Sequence, residues 1–501
     1  MKKGFLPSAE FSHTIGKYEW LYLNHMTATQ DRISTQLPKR PTQLAAGGPQ
    51  PNHFDWAEAW YPVHYVKDLS KTKPTRFTLL EQAVVIWWEP PSQTWRVFAD
   101  RCPHRLAPLS EGRINEAGRL ECPYHGWAFS GSGACEQIPQ QPTEGEAHLS
   151  DRACIEPLPT KVCQGLLFVY PGKPENAEQV SVPAIELLEA EPDGWVMMET
   201  FRDLPYDALT LLENVLDASH IPYTHHKTVS KRENAAPMQM NVVASDKQGF
   251  QGIWPEGPRK GELGTQHTTF VAPALMYHDL TSKQFGRTLT VVYATPIRKG
   301  ECRLFARFPF KFSSKLPGFF IKLTPRWYSH INNNRVLEDD QIFLHIQERM
   351  LAQDGVGKAS PTENQLYAQT CYLPTAADCY VVAFRKWVSE FAADPFFGQS
   401  LSPELPTEVL MDRYHSHTEH CSSCRLALQR VQQIRKFSLV LSVIFWSLLP
   451  LITVVSKPPS LSLSALLATV PIATVILWLW LGDLEQKFYQ GEPTPPRNLP
   501  E

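Results

Sequence analysis

The 501 residues contain no long basic run, no low-complexity tract and no internal repeat. Lys and Arg number 48 against 51 Asp and Glu, for a net charge of −3. That balance excludes the electropositive surface nucleic-acid binding requires, so no such partner is expected. Ten cysteines in so long a chain are too few for a disulfide scaffold and suit a reducing compartment. The first stretch, MKKGFLPSAEFSHTIGKYEW, has two lysines but no continuous apolar run, so a cleavable secretory signal is not expected. Nor is it rich enough in Ser and Arg for an organelle transit peptide. What remains is ordinary globular material: 43% hydrophobic and 20% charged, long enough for two or three domains.

Residues 1–53 read as a polar leader, Pro-rich near its end. From 54 to 175, short β-branched and aromatic runs such as RFTLLEQAVVIWW, TWRVFAD and GLLFVY alternate with Pro, Gly, Asn and Ser, the texture of a small antiparallel β domain. VPAIELLEAE looks like a helical connector. Residues 195–430 mix strand-like runs with amphipathic stretches. In PYDALTLLENVLDASH, Leu209, Leu212 and Leu216 recur on one helical face. The expected class is α+β.

Two apolar runs follow, FSLVLSVIFWSLLPLITVV and ALLATVPIATVILWLWLG, within 437–481. Each would extend about 27–29 Å as a helix, close to a bilayer's hydrocarbon core, so a transmembrane hairpin is expected. Arg425, Arg430, Arg435 and Lys436 precede it, whereas the connecting loop carries only Lys457. The positive-inside bias then puts the large polar part on the cytoplasmic or stromal side. Residues 482–501 form a polar tail.

The densest chemistry lies in CPHRLAPLSEGRINEAGRLECPYHGW, where Cys102, His104, Cys122 and His125 form Cys-x-His and Cys-x2-His loops. A Cys2His2 set could hold structural zinc. Here, however, each loop contributes one Cys and one His, with Gly112, Gly126, Gly131 and Gly133 available for tight turns. One Cys pair and one His pair is the ligand set of a Rieske [2Fe–2S] centre, which would take single electrons from a ferredoxin-like donor.

A second constellation explains where the electrons go. LLENVLDASHIPYTHH supplies Asn214, Asp217, His220 and His225, with His226 as a competitor. Asp217 and His220 are read as sharing one helix face, and Pro222 as ending that helix so that His225 swings back. Two histidines and a carboxylate form the open triad of non-haem Fe(II) oxygenases. The carboxylate is sought in NRVLEDDQIF among Glu338, Asp339 and Asp340, with Asp340 preferred; otherwise these acids would merely favour a helix N-terminus.

Together these constellations resemble the Rieske non-haem iron oxygenases. With DRCPHRLAPLSEGRI, ENVLDASHIPYTHH, DRYHSHTEHCSSCRLAL and the hydrophobic hairpin, the likeness narrows to the pheophorbide a oxygenase group over residues 54–485. The resemblance implies that Asp217 bridges a neighbouring subunit's Rieske histidine to an iron-ligand histidine, and hence a homo-oligomer, commonly a trimer. It implies a hydrophobic, tetrapyrrole-like substrate oxygenated with O2, and a redox-type pair at Cys421 and Cys424. Without a recognisable transit peptide, a cyanobacterial thylakoid or plasma membrane is the expected location. The rival reading is a non-catalytic redox component of a membrane complex.

Overall fold

The computed structural model describes residues 53–282, 286–355, 367, 369–392, 394–396, 398–455 and 461–500. The expected leader up to residue 52 and residues 456–460, between the two apolar runs, lie outside them.

The β-rich N-terminal texture folds into three small sheets. Gln82–Glu89 pairs on one side with Thr75–Leu79 and on the other with Thr94–Ala99, which also meets Pro157–Leu158. Tyr61–Tyr65 and Thr160–Cys163 flank Leu166–Val169. The third sheet is a ladder of two- and three-residue strands between Arg113 and Gln137. It cannot cover a broad core, and it has its own small one: Trp87, Phe98, Leu109, Leu120 and Phe129 close around Cys102 and Cys122.

From residue 195 onward the organising element is a seven-stranded antiparallel sheet. Its strands from Asn241–Asp246 to Glu301–Lys311 follow one another as a meander. Val196–Leu204 then returns to pair with the last of them, setting Phe201 opposite Phe305. The helix Ala208–Leu216 buries Leu209, Leu212 and Leu216 in the main core with Val292, Ala294 and Phe384. That core also takes in Phe77, Ile86 and Trp95, so one hydrophobic mass joins the first sheet to the seven-stranded one.

A 30-residue helix, Arg326–Gly355, crosses behind Val196–Leu204. It removes the alternative reading of the three acids: Glu338, Asp339 and Asp340 sit in mid-helix, so dipole stabilisation at an N-terminus cannot account for them.

The two apolar runs lie in the helices Ser422–Val455 and Leu461–Tyr489, which pack along each other. At their base, Arg435 pairs with Glu485 at 2.7 Å and Gln432 reaches Glu485 and Tyr489, each at 3.0 Å. Beyond it Phe437, Val443, Trp446, Ile476 and Trp480 are more than half exposed. Among the described residues no helix is long and apolar enough to cross a membrane. The tail is only partly free-running: its first residues extend the second helix to Tyr489, and its end returns to the long helix.

Candidate metal centres

The two cluster loops are built alike. In the first, Cys102 N–H donates to Ala107 O at 2.8 Å and Leu106 N–H to Cys102 O at 2.9 Å. In the second, Cys122 N–H donates to Trp127 O at 2.8 Å and Gly126 N–H to Cys122 O at 3.1 Å. Each loop turns through one left-handed residue, Leu106 at φ 61° and Gly126 at φ 72°. A left-handed leucine is uncommon, and two equivalent loops demanding the same backbone explain it. Both thiols are buried, while His104 is exposed and His125 half-exposed. Burial pushes the Cys102 thiol up to about 12, with Cys122 adding to the effect. A thiol so reluctant to ionise becomes a ligand only against strong positive charge. The imidazoles lie 4.5 Å apart between ring centres, and Trp127 stacks on His104 at 4.6 Å.

The spacing of the donors decides between one ion and a cluster. Among the described residues, two groups converge their ligand atoms to within 4.8 Å of one another, and no three of Cys102, His104, Cys122 and His125 do so. They fit a centre with two metals better than a single zinc.

The second centre is more tightly drawn. His220, His225 and Asp340 do converge within 4.8 Å. His225 Nε2 lies 3.3 Å from Asp340 Oδ2, and His220 Nε2 lies 3.9 Å from Asp340 Oδ1. The far nitrogens are engaged elsewhere. His225 Nδ1 faces Asp339 Oδ2 at 3.2 Å, and His220 Nδ1 donates to Asp217 O at 2.5 Å. Thr228 Oγ1 donates to the same Asp339 oxygen at 2.6 Å. Both imidazoles thus present Nε2 inward, the arrangement metal-ligating histidines adopt when a carboxylate or carbonyl holds the other nitrogen. Asp340 Oδ1 is buried without a hydrogen-bond partner, an orphan that an iron ion would satisfy. Burial raises the Asp340 carboxyl against the opposing pull of His220 and His225.

Consecutive residues on a helix point about 100° apart, and the three acids divide accordingly. Glu338 takes Arg413 at 2.6 Å and Arg202 at 2.7 Å in a buried ion cluster, Asp339 orients His225, and Asp340 faces both histidines. His226 Nδ1 instead accepts Arg232 N–H at 3.3 Å. Asn214 lies near enough to Asp340 to favour its charged form. Asp217 caps the C-terminus of Ala208–Leu216, outside the helix, and its Oδ1 accepts from Ser219 N–H and Oγ–H. Burial opposes its charge, yet hydrogen bonds from His220 and Ser219 prevail and hold it below the usual carboxylate range. Pro222 does not end a helix. It opens the short turn Ile221–Thr224, where a missing N–H costs nothing, and that turn carries His225 back to His220.

The tail contributes a residue that sequence reasoning missed. Arg497 Nη1 donates to Asp339 O at 2.5 Å and Thr224 O at 3.3 Å, tying the helix of the acid to the turn of the histidines.

These donor sets and this sheet place the chain among the Rieske non-haem iron oxygenases: it is an enzyme that uses a Rieske [2Fe–2S] cluster and a mononuclear iron. Residues 59–160 match the Rieske [2Fe-2S] domain family and residues 270–358 the pheophorbide a oxygenase family. The chain is 40% identical to the chloroplastic pheophorbide a oxygenase of Oryza sativa subsp. japonica over 78% of its own length and 77% of that protein's. With the Arabidopsis thaliana counterpart it shares 37% identity over 79% and 76%. It belongs to the pheophorbide a oxygenase family. Among solved structures, dicamba monooxygenase bound to dicamba has the same fold, with a TM-score of 0.52, 21% identity, and coverage of 66% of this chain and 96% of that one.

Proposed function

We propose that this chain is a membrane-anchored oxygenase that takes electrons from a ferredoxin-like donor and oxygenates a chlorophyll-derived tetrapyrrole such as pheophorbide a. The observation that carries the reading is the convergence of His220, His225 and Asp340 beside an orphaned carboxylate oxygen, because an electron-transfer module has no use for an open triad. The two named relatives are pheophorbide a oxygenases, which supports the substrate class.

In this reading residues 54–175 carry the cluster on Cys102, His104, Cys122 and His125, and residues 195–430 carry iron on His220, His225 and Asp340. When bound, the iron supplies oxygen activation. The chain's own groups do the positioning. Asp339 and the Asp217 carbonyl fix the imidazole tautomers, and Asn214 steadies Asp340. Asp217, with its side chain 26% exposed, carries the path to a neighbouring subunit's cluster, which makes the working form a homo-oligomer, with a trimer favoured. The exposed apolar collar above Arg435 supports insertion of the hairpin into a membrane, the catalytic part remaining on the cytoplasmic or stromal side. A cyanobacterial thylakoid or plasma membrane fits, and the named relatives are chloroplastic.

The test is turnover of pheophorbide a under labelled O2 with a reduced ferredoxin. Label in a ring-oxygenated product supports the proposal. Unchanged pheophorbide with normal cluster reduction would return the chain to the rival reading of a redox component.

A further inference from the structure

Cys421 and Cys424 are not alone. His330, from the long helix Arg326–Gly355, and His417, from the turn Tyr414–Thr418, meet them in a closed group whose ligand atoms all lie within 4.8 Å of one another. His417 Nε2 is 3.3 Å from Cys424 Sγ. His330 Nδ1 is 3.4 Å from Cys421 Sγ and 3.5 Å from Cys424 Sγ. The two inward imidazole nitrogens are 2.9 Å apart. Tetrahedral zinc with its usual bond lengths to sulfur and nitrogen spaces its ligands by about 3.3–3.8 Å. The sulfur–nitrogen distances already match.

The outward nitrogens settle the protonation of this group. His330 Nε2 faces Glu199 O at 2.9 Å, and His417 Nδ1 faces Phe201 O at 2.6 Å. A carbonyl can only accept, so both outward nitrogens carry hydrogen, and in neutral imidazoles both inward nitrogens present lone pairs. Two lone pairs at 2.9 Å repel unless a cation lies between them. A divalent metal removes the conflict at once, and the backbone carbonyls are the outer partners that metal-bound histidines use.

We propose that His330, His417, Cys421 and Cys424 form a structural zinc site. Zn2+ displaces the two thiol protons to solvent, so two thiolates and two neutral imidazoles leave a unit with no net charge, which suits the burial. All four protein positions are filled, and no open position remains for catalysis. The site joins the start of the hairpin helix Ser422–Val455 to the long helix ten residues before Asp340, about 15 Å along its axis. Through Glu199 and Phe201 it also ties both to the strand Val196–Leu204. A metal clamp therefore sets the hairpin on the helix that carries the iron-site carboxylate.

This assignment replaces thiol–disulfide switching at Cys421 and Cys424. Exchange needs a thiolate within reach of an attacking sulfur. His330 and Cys421 are 0% exposed and His417 and Cys424 1%, so no partner protein can touch either thiol in this fold.

The experiment is metal analysis of the full chain purified in detergent without added zinc or chelator. One zinc per chain beyond the iron is expected, and Cys424→Ser and His417→Gln should each lower it to background while the cluster absorbance persists. Growth with cobalt should give a thiolate-to-cobalt charge-transfer band that Cys424→Ser abolishes, a readout independent of activity and of the iron sites. Zinc that survives Cys424→Ser would belong to the iron triad and overturn the proposal. So would a metal-free preparation in which mass spectrometry finds Cys421 and Cys424 joined as a disulfide, or as two free thiols. If both variants fail to fold, the cobalt band of the wild-type chain decides alone.

Discussion

The chain holds two sets of two cysteines and two histidines, and they are made oppositely. The set at Cys102, His104, Cys122 and His125 draws each Cys–His pair from one tight loop, leaves its imidazoles toward solvent, and does not close on a point. The set at His330, His417, Cys421 and Cys424 is assembled from distant segments, is fully buried, and closes within 4.8 Å. Donor types are therefore not what distinguishes an electron relay from a clamp. Exposure and spacing are: a relay must offer its histidines to a partner, and a clamp must exclude one.

Breaking either set should give opposite results. Cys122→Ser should abolish the Rieske electron paramagnetic signal and all product formation while the melting of the seven-stranded sheet is unchanged. Cys424→Ser should keep that signal and lower the thermal midpoint of the catalytic part. Loss of both signals in one variant would mean that the sets are not independent.

Next in size is Glu338→Gln. Glu338, 5% exposed, answers two buried guanidiniums, Arg202 and Arg413. Leaving them short of a charge should cost about 3–5 kcal/mol of stability in denaturant unfolding. Iron content should stay normal, since Asp340 and not Glu338 faces the histidines. Iron loss in a folded variant would reopen the choice among the three acids.

Asp217→Asn keeps the backbone carbonyl that holds His220 and removes only the side-chain charge beside it, so both metals should stay bound and the cluster reducible, while its reoxidation with substrate and O2 slows by about 10–100-fold. Wild-type reoxidation in stopped flow would end the bridging role.

The smallest effect expected is at Trp127, stacked on His104 at 4.6 Å with planes 6° apart. Trp127→Leu removes a contact worth about 0.5–1.5 kcal/mol. Protein-film voltammetry should find the cluster intact with a modest change in potential. A lost cluster would make Trp127 part of the binding loop's architecture.

What the sequence made legible follows the same divide. The cluster loops could be read because all four donors lie between residues 102 and 125, and local spacing carries the chemistry. His220 and His225 were readable for the same reason. Choosing among Glu338, Asp339 and Asp340 was not a local problem. It depended on a helix that begins at Arg326 and on Arg202 and Arg413 claiming one of the three faces. Pro222 was misplaced because proline fits a helix start as well as a stop, and only the capping geometry tells them apart. Cys421 and Cys424 were visible only as a redox-type pair; His330 lies 87 residues upstream of His417, and the seven-stranded sheet had to form before the two histidines could meet at the thiols. Arg497 left no local signal, because its partners are backbone carbonyls.

The most direct test of the whole account is a single turnover without any donor. Protein with a pre-reduced cluster and loaded iron is mixed with pheophorbide a and labelled O2, while cluster absorbance and product are followed together. The account predicts that the cluster reoxidises as labelled product appears, and that Asp340→Ala abolishes product while the cluster stays reduced. A cluster that empties at the same rate with no product, or with Asp340 removed, would contradict it.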